Sequence, residues 1–289
     1  MRFDMVLEGG GAKGMVFVGA LKALEADGHE ADRLVGTSAG AITATLLTIG
    51  YNADELAQAL AERDANGEPV FAGFLDVPTE DDFSQEVIDE SATMQLFRKI
   101  DIPIVPDRWE DAIDKRIMRR LLGLRAYPVM FSFVERGGLY VGNAFVEWMK
   151  KKLDAKQTGY ADMTLQQLHH ATGKDLSVVA SDTSGRNLLV LNHRTAPNVP
   201  VVRAVRMSMS IPFAWQEVIW QTAWNPYQLL DASGISIKSE SDLTSHTIVD
   251  GGVLSNFPIN LVTSDEPSVR AVMGDRQPNR NSVLGMLID

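Results

Sequence analysis

The 289-residue chain predicts an α/β fold: a three-layer α/β/α sandwich on a mainly parallel central sheet, with a helical and loop insertion. Two observations carry that expectation. The first fifty residues read strand, glycine turn, helix, strand, turn, helix, and strands alternating with helices build a parallel sheet covered on both faces. Further short apolar strands then recur between amphipathic helices in the second half of the chain.

In order, Met5, Val6 and Leu7 form a strand that runs into Gly9, Gly10 and Gly11. From residue 15 to 26 the apolar side chains fall at helical spacing, with Val16, Ala20 and Leu24 beside Phe17 and Leu21, and Gly28 stops the helix. Leu34 and Val35 start a second strand that breaks at Gly36, and residues 39–49 return to a helix ended by Gly50. Residues 53–64 form another amphipathic helix. The composition then shifts: Pro69, Pro78, Pro103 and Pro106 stand among many acids over 66–107. This marks an insertion or lid, set at 66–130, within a single domain spanning 1–289. A helix over 110–124 carries Lys115, Arg116, Arg119 and Arg120, most simply a solvated face and alternatively a dock for anionic headgroups. Helices are expected over 143–153, capped by Asn143, and over 164–171. Strands are expected at 176–180, 188–191, 201–205, 247–249 and 283–287. Ending on a strand leads to the expectation that the natural chain continues beyond 289.

The totals narrow the function. A net charge of −11 argues against nucleic acid, whose phosphates need a basic surface. With no cysteine, disulfides, thiolate ligands and a cysteine nucleophile are out. A core strand follows Met1 almost at once, so no secretory signal is read, and no apolar run approaches the roughly 20 residues of a membrane span. The expected place is the cytoplasm, with export as an effector left open. Any meeting with lipid is then peripheral.

Three segments carry chemistry. Gly36-Thr37-Ser38-Ala39-Gly40 places a serine between a strand and a helix, the context of a nucleophile elbow: Gly36 and Gly40 make room for the tight turn, and Ser38 sits at the helix N-terminus. Gly9-Gly10-Gly11-Ala12-Lys13-Gly14 follows a strand and opens a helix, so successive backbone N–H groups there can cradle an oxyanion or a phosphate. A dinucleotide site would need an acid at the end of the second strand, where Gly36, Thr37 and Ser38 stand instead. Val249-Asp250-Gly251-Gly252 sets Asp250 at a strand end before a flexible turn.

Together these segments resemble the patatin-like phospholipase family, whose marks are a glycine-rich oxyanion motif, GxSxG and a late DG[AG]. The resemblance extends through VLEGGGAKGMVFVGALKALEADG, GTSAGAITATLL, ASDTSGR at 180–186, RMSMSIPFAW at 206–215 and GLYVGNAF at 138–145, and leaves out about 66–130. It implies Ser38 as nucleophile, Asp250 as its base and Gly9, Gly10, Gly11 and Gly14 as the oxyanion loop. Lys13 stands where the family commonly has arginine. The implied reaction is two-step acyl transfer on glycerophospholipids or related acyl esters, without metal or cofactor. Acyltransferase or thioesterase chemistry at the same dyad, a partner-activated effector toxin and a non-enzymatic binding module are the alternatives. An activating protein or ligand is allowed for.

The dyad needs no histidine. The five histidines show no metal-ligand spacing, and none follows Asp250; His246 stands four residues earlier, roughly 13 Å away at strand rise. Asp182 with His193 or His246 stays open as a triad. Trp215, Trp220 and Trp224 read first as core aromatics and second as the lining of an acyl pocket.

Overall fold

The computed structural model describes residues 2–99, 126–230, 242–275 and 282–288. The expected basic helix over 110–124 lies outside them. The chain divides into two compact units: residues 1–73, 144–211 and 218–289 make the first, and residues 74–143 with 212–217 the second.

The first unit opens with β1 (Arg2–Leu7), a 3-10 turn over Gly11–Met15, α1 (Val16–Ala26), β2 (Glu30–Thr37), α2 (Ala39–Thr48) and α3 (Ala53–Leu60). The expected helix over 53–64 therefore stops at Leu60. Its start is fixed by a capping box in which Asn52 accepts from Glu55 N at 2.9 Å and Glu55 from Asn52 N at 2.9 Å.

In the second unit, α4 (Gln85–Glu90), α5 (Ala92–Lys99) and α6 (Tyr127–Arg136) gather around Phe83, Met94 and Phe131. Strand β3 (Gly138–Tyr140) pairs there with β6 (Phe213–Trp215). This unit has its own small apolar core, which is what lets an insertion fold.

The first unit resumes with α7 (Asn143–Lys156), α8 (Leu165–Thr172), β4 (Asp175–Asp182), β5 (Asn187–Leu191) and α9 (Val201–Ser208). It closes with β7 (Val218–Ile219), β8 (Thr247–Asp250), α10 (Asn260–Thr263), α11 (Pro267–Met273) and β9 (Val283–Met286). The strand expected at 201–205 is the helix α9. Valines suggested a strand, but Val201, Val202, Val205 and Ser208 fall at helical spacing and are all buried. Pro200 leads in at φ −60°, where its missing N–H costs nothing.

The sheet runs β7-β8-β4-β2-β1-β9, with β5 also on β4. The predicted parallel arrangement holds for β9-β1-β2-β4, whereas β5, β8 and β7 join antiparallel. Helix α2 covers β1, β2 and β4 on one face. On the other, Val6, Val35, Val179 and Val190 pack with Leu261, Val262 and Met273 of α10 and α11. Among the described residues no helix is long and apolar enough to cross a membrane. Trp220 and Trp224 are buried and meet edge to face at 5.8 Å, as core aromatics do. Trp215 donates to Phe74 O at 2.8 Å.

Candidate active site

The edges of β4 explain how Ser38 and Asp250 come together. Val178 and Val179 pair with both β2 and β5, so those strands hold opposite edges. Residues 180–182 pair with both β5 and β8, so β8 lies on the same edge as β2. Strand β2 leaves that edge at Thr37, level with Val179, and β8 takes it over at Asp250, level with Ala180. The two strands meet end to end, and the residue just past one is Ser38 while the last of the other is Asp250. Because β8 runs antiparallel, Asp250 reaches this point through its register and not through the usual gathering of parallel strand ends.

At the turn Ser38 adopts φ 52°, ψ −118°, a strained conformation for a residue with a side chain. A Cβ at Gly36 would lie 2.3 Å from Gly40 O, and one at Gly40 would lie 2.2 Å from Leu7 O, so only glycine fits either place. The strain is held by Ser208, whose Oγ accepts from Ser38 N at 2.9 Å and donates to Val179 O at 2.6 Å. Ser208 thus supplies the bridge that a continuing β2 would have made with β4. Next to it, Ser210 O accepts from Asp250 N at 2.9 Å. The end of α9 therefore positions both residues. Sequence reading missed this because 201–205 looked like a strand; the serines of RMSMS were the available signal.

Asp250 is 4% exposed. Its Oδ1 accepts from Gly252 N at 2.7 Å, and its Oδ2 is buried without a conventional hydrogen-bond partner among the described residues. Burial pushes the carboxyl up to about 6, against the pull of the Ser38 hydroxyl and the Gly252 amide. A buried carboxyl poised near neutrality beside a strained serine hydroxyl has the chemistry to accept that hydroxyl's proton.

The glycine loop is clamped beside the elbow. Gly9 N donates to Asn256 O at 3.1 Å, and Asn256 Nδ2 donates to Gly9 O at 3.0 Å and Glu8 Oε1 at 3.1 Å. Glu8 Oε2 accepts from Ile288 N at 2.7 Å. The Gly9 amide is therefore spent on the scaffold. Gly14 lies inside the 3-10 turn and packs on α2, where a Cβ would stand 3.6 Å from Ala39 Cβ. Among the described residues the Gly10 and Gly11 amides make no hydrogen bond, and Gly11 sits at φ +56°. These two N–H groups are therefore available to an anion. Lys13 is exposed.

The histidines fall elsewhere. His246 Nδ1 lies 2.8 Å from Asp182 Oδ2, so one of the open acid–histidine pairs does form. Among the described residues, however, no histidine bonds to Ser38. His193 joins His169 and Asp175 at the start of β4, a group whose ligand atoms lie within 4.8 Å of one another. Sequence spacing hid that group. The imidazoles stack at 3.7 Å and 6°, and Arg33 Nη2 lies 3.6 Å from Asp175 Oδ2. Burial, with His169, Arg194 and Arg33 adding to it against Asp175, pushes His193 down to about 4. These residues have the donor atoms for a metal, but a cationic neighbourhood works against one.

The patatin-like phospholipase family model matches residues 5–263. The chain is 27% identical over 288 residues to the uncharacterized protein YqhO of Bacillus subtilis (strain 168), covering 97% of this chain and 74% of that one. It is 22% identical over 265 residues to the uncharacterized protein R571 of Acanthamoeba polyphaga mimivirus, covering 91% and 62%. Among solved structures, VipD from Legionella pneumophila is similar at a TM-score of 0.43 and 19% identity, over 87% of this chain and 46% of that one. The type III effector protein ExoU, of Pseudomonas aeruginosa, gives 0.36 and 22%, over 72% and 39%. The chain spans less than half the length of these two solved chains. The family match runs from β1 to the end of α10 and takes in the glycine loop, the elbow and Asp250, so the chain belongs to the patatin-like phospholipase family.

Proposed function

We propose that the chain is a lipid acyl hydrolase of phospholipase A type, with Ser38 as nucleophile and Asp250 as general base. Asp250 takes the Ser38 proton as Oγ attacks the ester carbonyl. The Gly10 and Gly11 amides receive the oxyanion, at the N-terminus of α2, where the helix dipole favours negative charge. The protonated Asp250 then returns its proton to the departing alcohol, and water, deprotonated by the same carboxylate, releases the fatty acid. Ser208 and Asn256 act as positioning residues for the elbow and the loop. The substrate is a glycerophospholipid or related acyl ester, met from the cytoplasmic side at a membrane surface.

One observation carries this reading: Thr37, the end of β2, and Asp250, the end of β8, occupy consecutive places on one edge of β4, so that Ser38 follows directly beside Asp250, whose carboxyl is lifted to about 6 by burial. The test is a fluorophosphonate probe followed by peptide mapping, beside incubation with mixed phospholipid vesicles and mass spectrometry of the products. Labelling at Ser38, with fatty acid release lost in Ser38→Ala, is expected. A probe adduct on Ser208 or Ser210, or fatty acid release that survives in Ser38→Ala, would refute the assignment. Transfer to an added alcohol in place of hydrolysis would make the chain an acyltransferase at the same dyad.

A further inference from the structure

We propose that a cleft beside the oxyanion loop seats the acyl chain and that Phe71 limits its length, giving a preference for chains of about eight carbons. The proposal rests on the acyl hydrolase reading above. The cleft lies within the first unit, has a volume of ≈ 180 Å³, and its lining includes Gly11, Gly14 and Ala39, the residue directly after Ser38. A chain whose carbonyl oxygen faces the Gly10 and Gly11 amides therefore has this space next to it.

The chemistry of the lining selects an apolar ligand. Besides the loop glycines and Ala39, the lining is Met15, Ile42, Leu60, Pro69 and Phe71, all apolar, and Thr43. Thr43 brings the one hydroxyl, and that hydroxyl is spent inside α2, donating to Ala39 O at 3.1 Å. Among the described residues no charged side chain lines the space. At ~30 Å³ per heavy atom, the share of a water molecule in the liquid, the volume holds about six carbons. With the carbonyl and its neighbouring carbon outside, that corresponds to an acyl group of about eight.

The wall is braced. The Phe71 ring lies 5.8 Å from the Trp148 ring. Trp148 Nε1 donates to Glu62 Oε2 at 3.0 Å, and the same Glu62 oxygen lies 2.6 Å from Lys152 Nζ. Half-buried Phe71 thus has a braced aromatic beside it, so changing its size changes the room for a chain.

The experiment measures kcat/KM for p-nitrophenyl butanoate, octanoate and dodecanoate on the whole chain, on Phe71→Ala and on Phe71→Trp. Melting curves establish that both variants fold. Each methylene buried is worth roughly fourfold. Phe71→Ala should raise the dodecanoate-to-octanoate ratio about tenfold, and Phe71→Trp should lower the octanoate-to-butanoate ratio by a similar factor. In parallel, calorimetry measures octanoic acid binding to Ser38→Ala, where a loss of at least fivefold on adding Phe71→Trp is expected. If no ester is cleaved but octanoic acid binds and Phe71→Trp weakens it, the hydrolase reading fails and the chain pocket stands. If esters are cleaved while neither variant moves the ratios, or if Phe71→Trp leaves octanoic acid binding unchanged, the pocket assignment is overturned.

Discussion

Replacing Asp250 by asparagine should abolish turnover and, above pH 6, remove a cost to folding. Burial lifts the carboxyl from its ordinary 3.8 to about 6, so the folded protein holds that proton more tightly than the unfolded chain. The stabilisation is complete below 3.8 and is lost as the pH rises through about 6. At about 1.4 kcal/mol per tenfold of proton affinity, the whole gap amounts to about 3 kcal/mol. Asparagine can keep the bond from Gly252 N but leaves its amide N–H₂ buried where Oδ2 had no partner. That penalty is fixed, so the pH dependence separates the two effects. Between pH 4.5 and 8, about 2 kcal/mol of the gap is traversed. The stability of Asp250→Asn relative to the natural protein should therefore rise by about 2 kcal/mol over this range. In a chain of this size that is a relative shift in Tm of roughly 4–8 °C. Melting both proteins across the pH series is the assay. Parallel curves would show that Asp250 does not titrate near 6, and the argument for it as a poised base would fall with them.

With Asp250 as base, kcat/KM on a soluble ester should climb about tenfold per pH unit below about 6 and level off above it; a profile flat between pH 4.5 and 7 would contradict the assignment. Ser208→Ala strips the bridge from Ser38 N and Val179 O. It should destabilise by about 1–3 kcal/mol and slow fluorophosphonate labelling of Ser38, whereas labelling at the natural rate would reduce Ser208 to a packing role. His246→Ala leaves the buried Asp182 Oδ2 without its partner, so a stability loss of about 1–3 kcal/mol is expected with esterase activity within about twofold. An inactive but folded His246→Ala protein would favour a triad.

The sequence by itself determined the local machinery. Gly36, Ser38 and Gly40, the run Gly9 to Gly14, and Asp250 at a strand end are legible because a tight turn and a backbone cradle each need particular residues within a few positions. The parallel strands β1, β2 and β4 were legible for the same reason, since each is a short apolar run closed by a turn. What lies far apart in the chain was decided only by tertiary structure. The shared edge of β4 depends on where β2 stops and on β8 entering antiparallel, 210 residues later. Helix α9 won over the strand preference of its valines because its buried stripe follows helical spacing, and that helix delivers Ser208 to the elbow. The same holds for Asp182 with His246, and for the Gly9 amide taken by Asn256. The lifted Asp250 carboxyl depends on exclusion of water, and burial is a property of the packed molecule that no stretch of sequence carries alone.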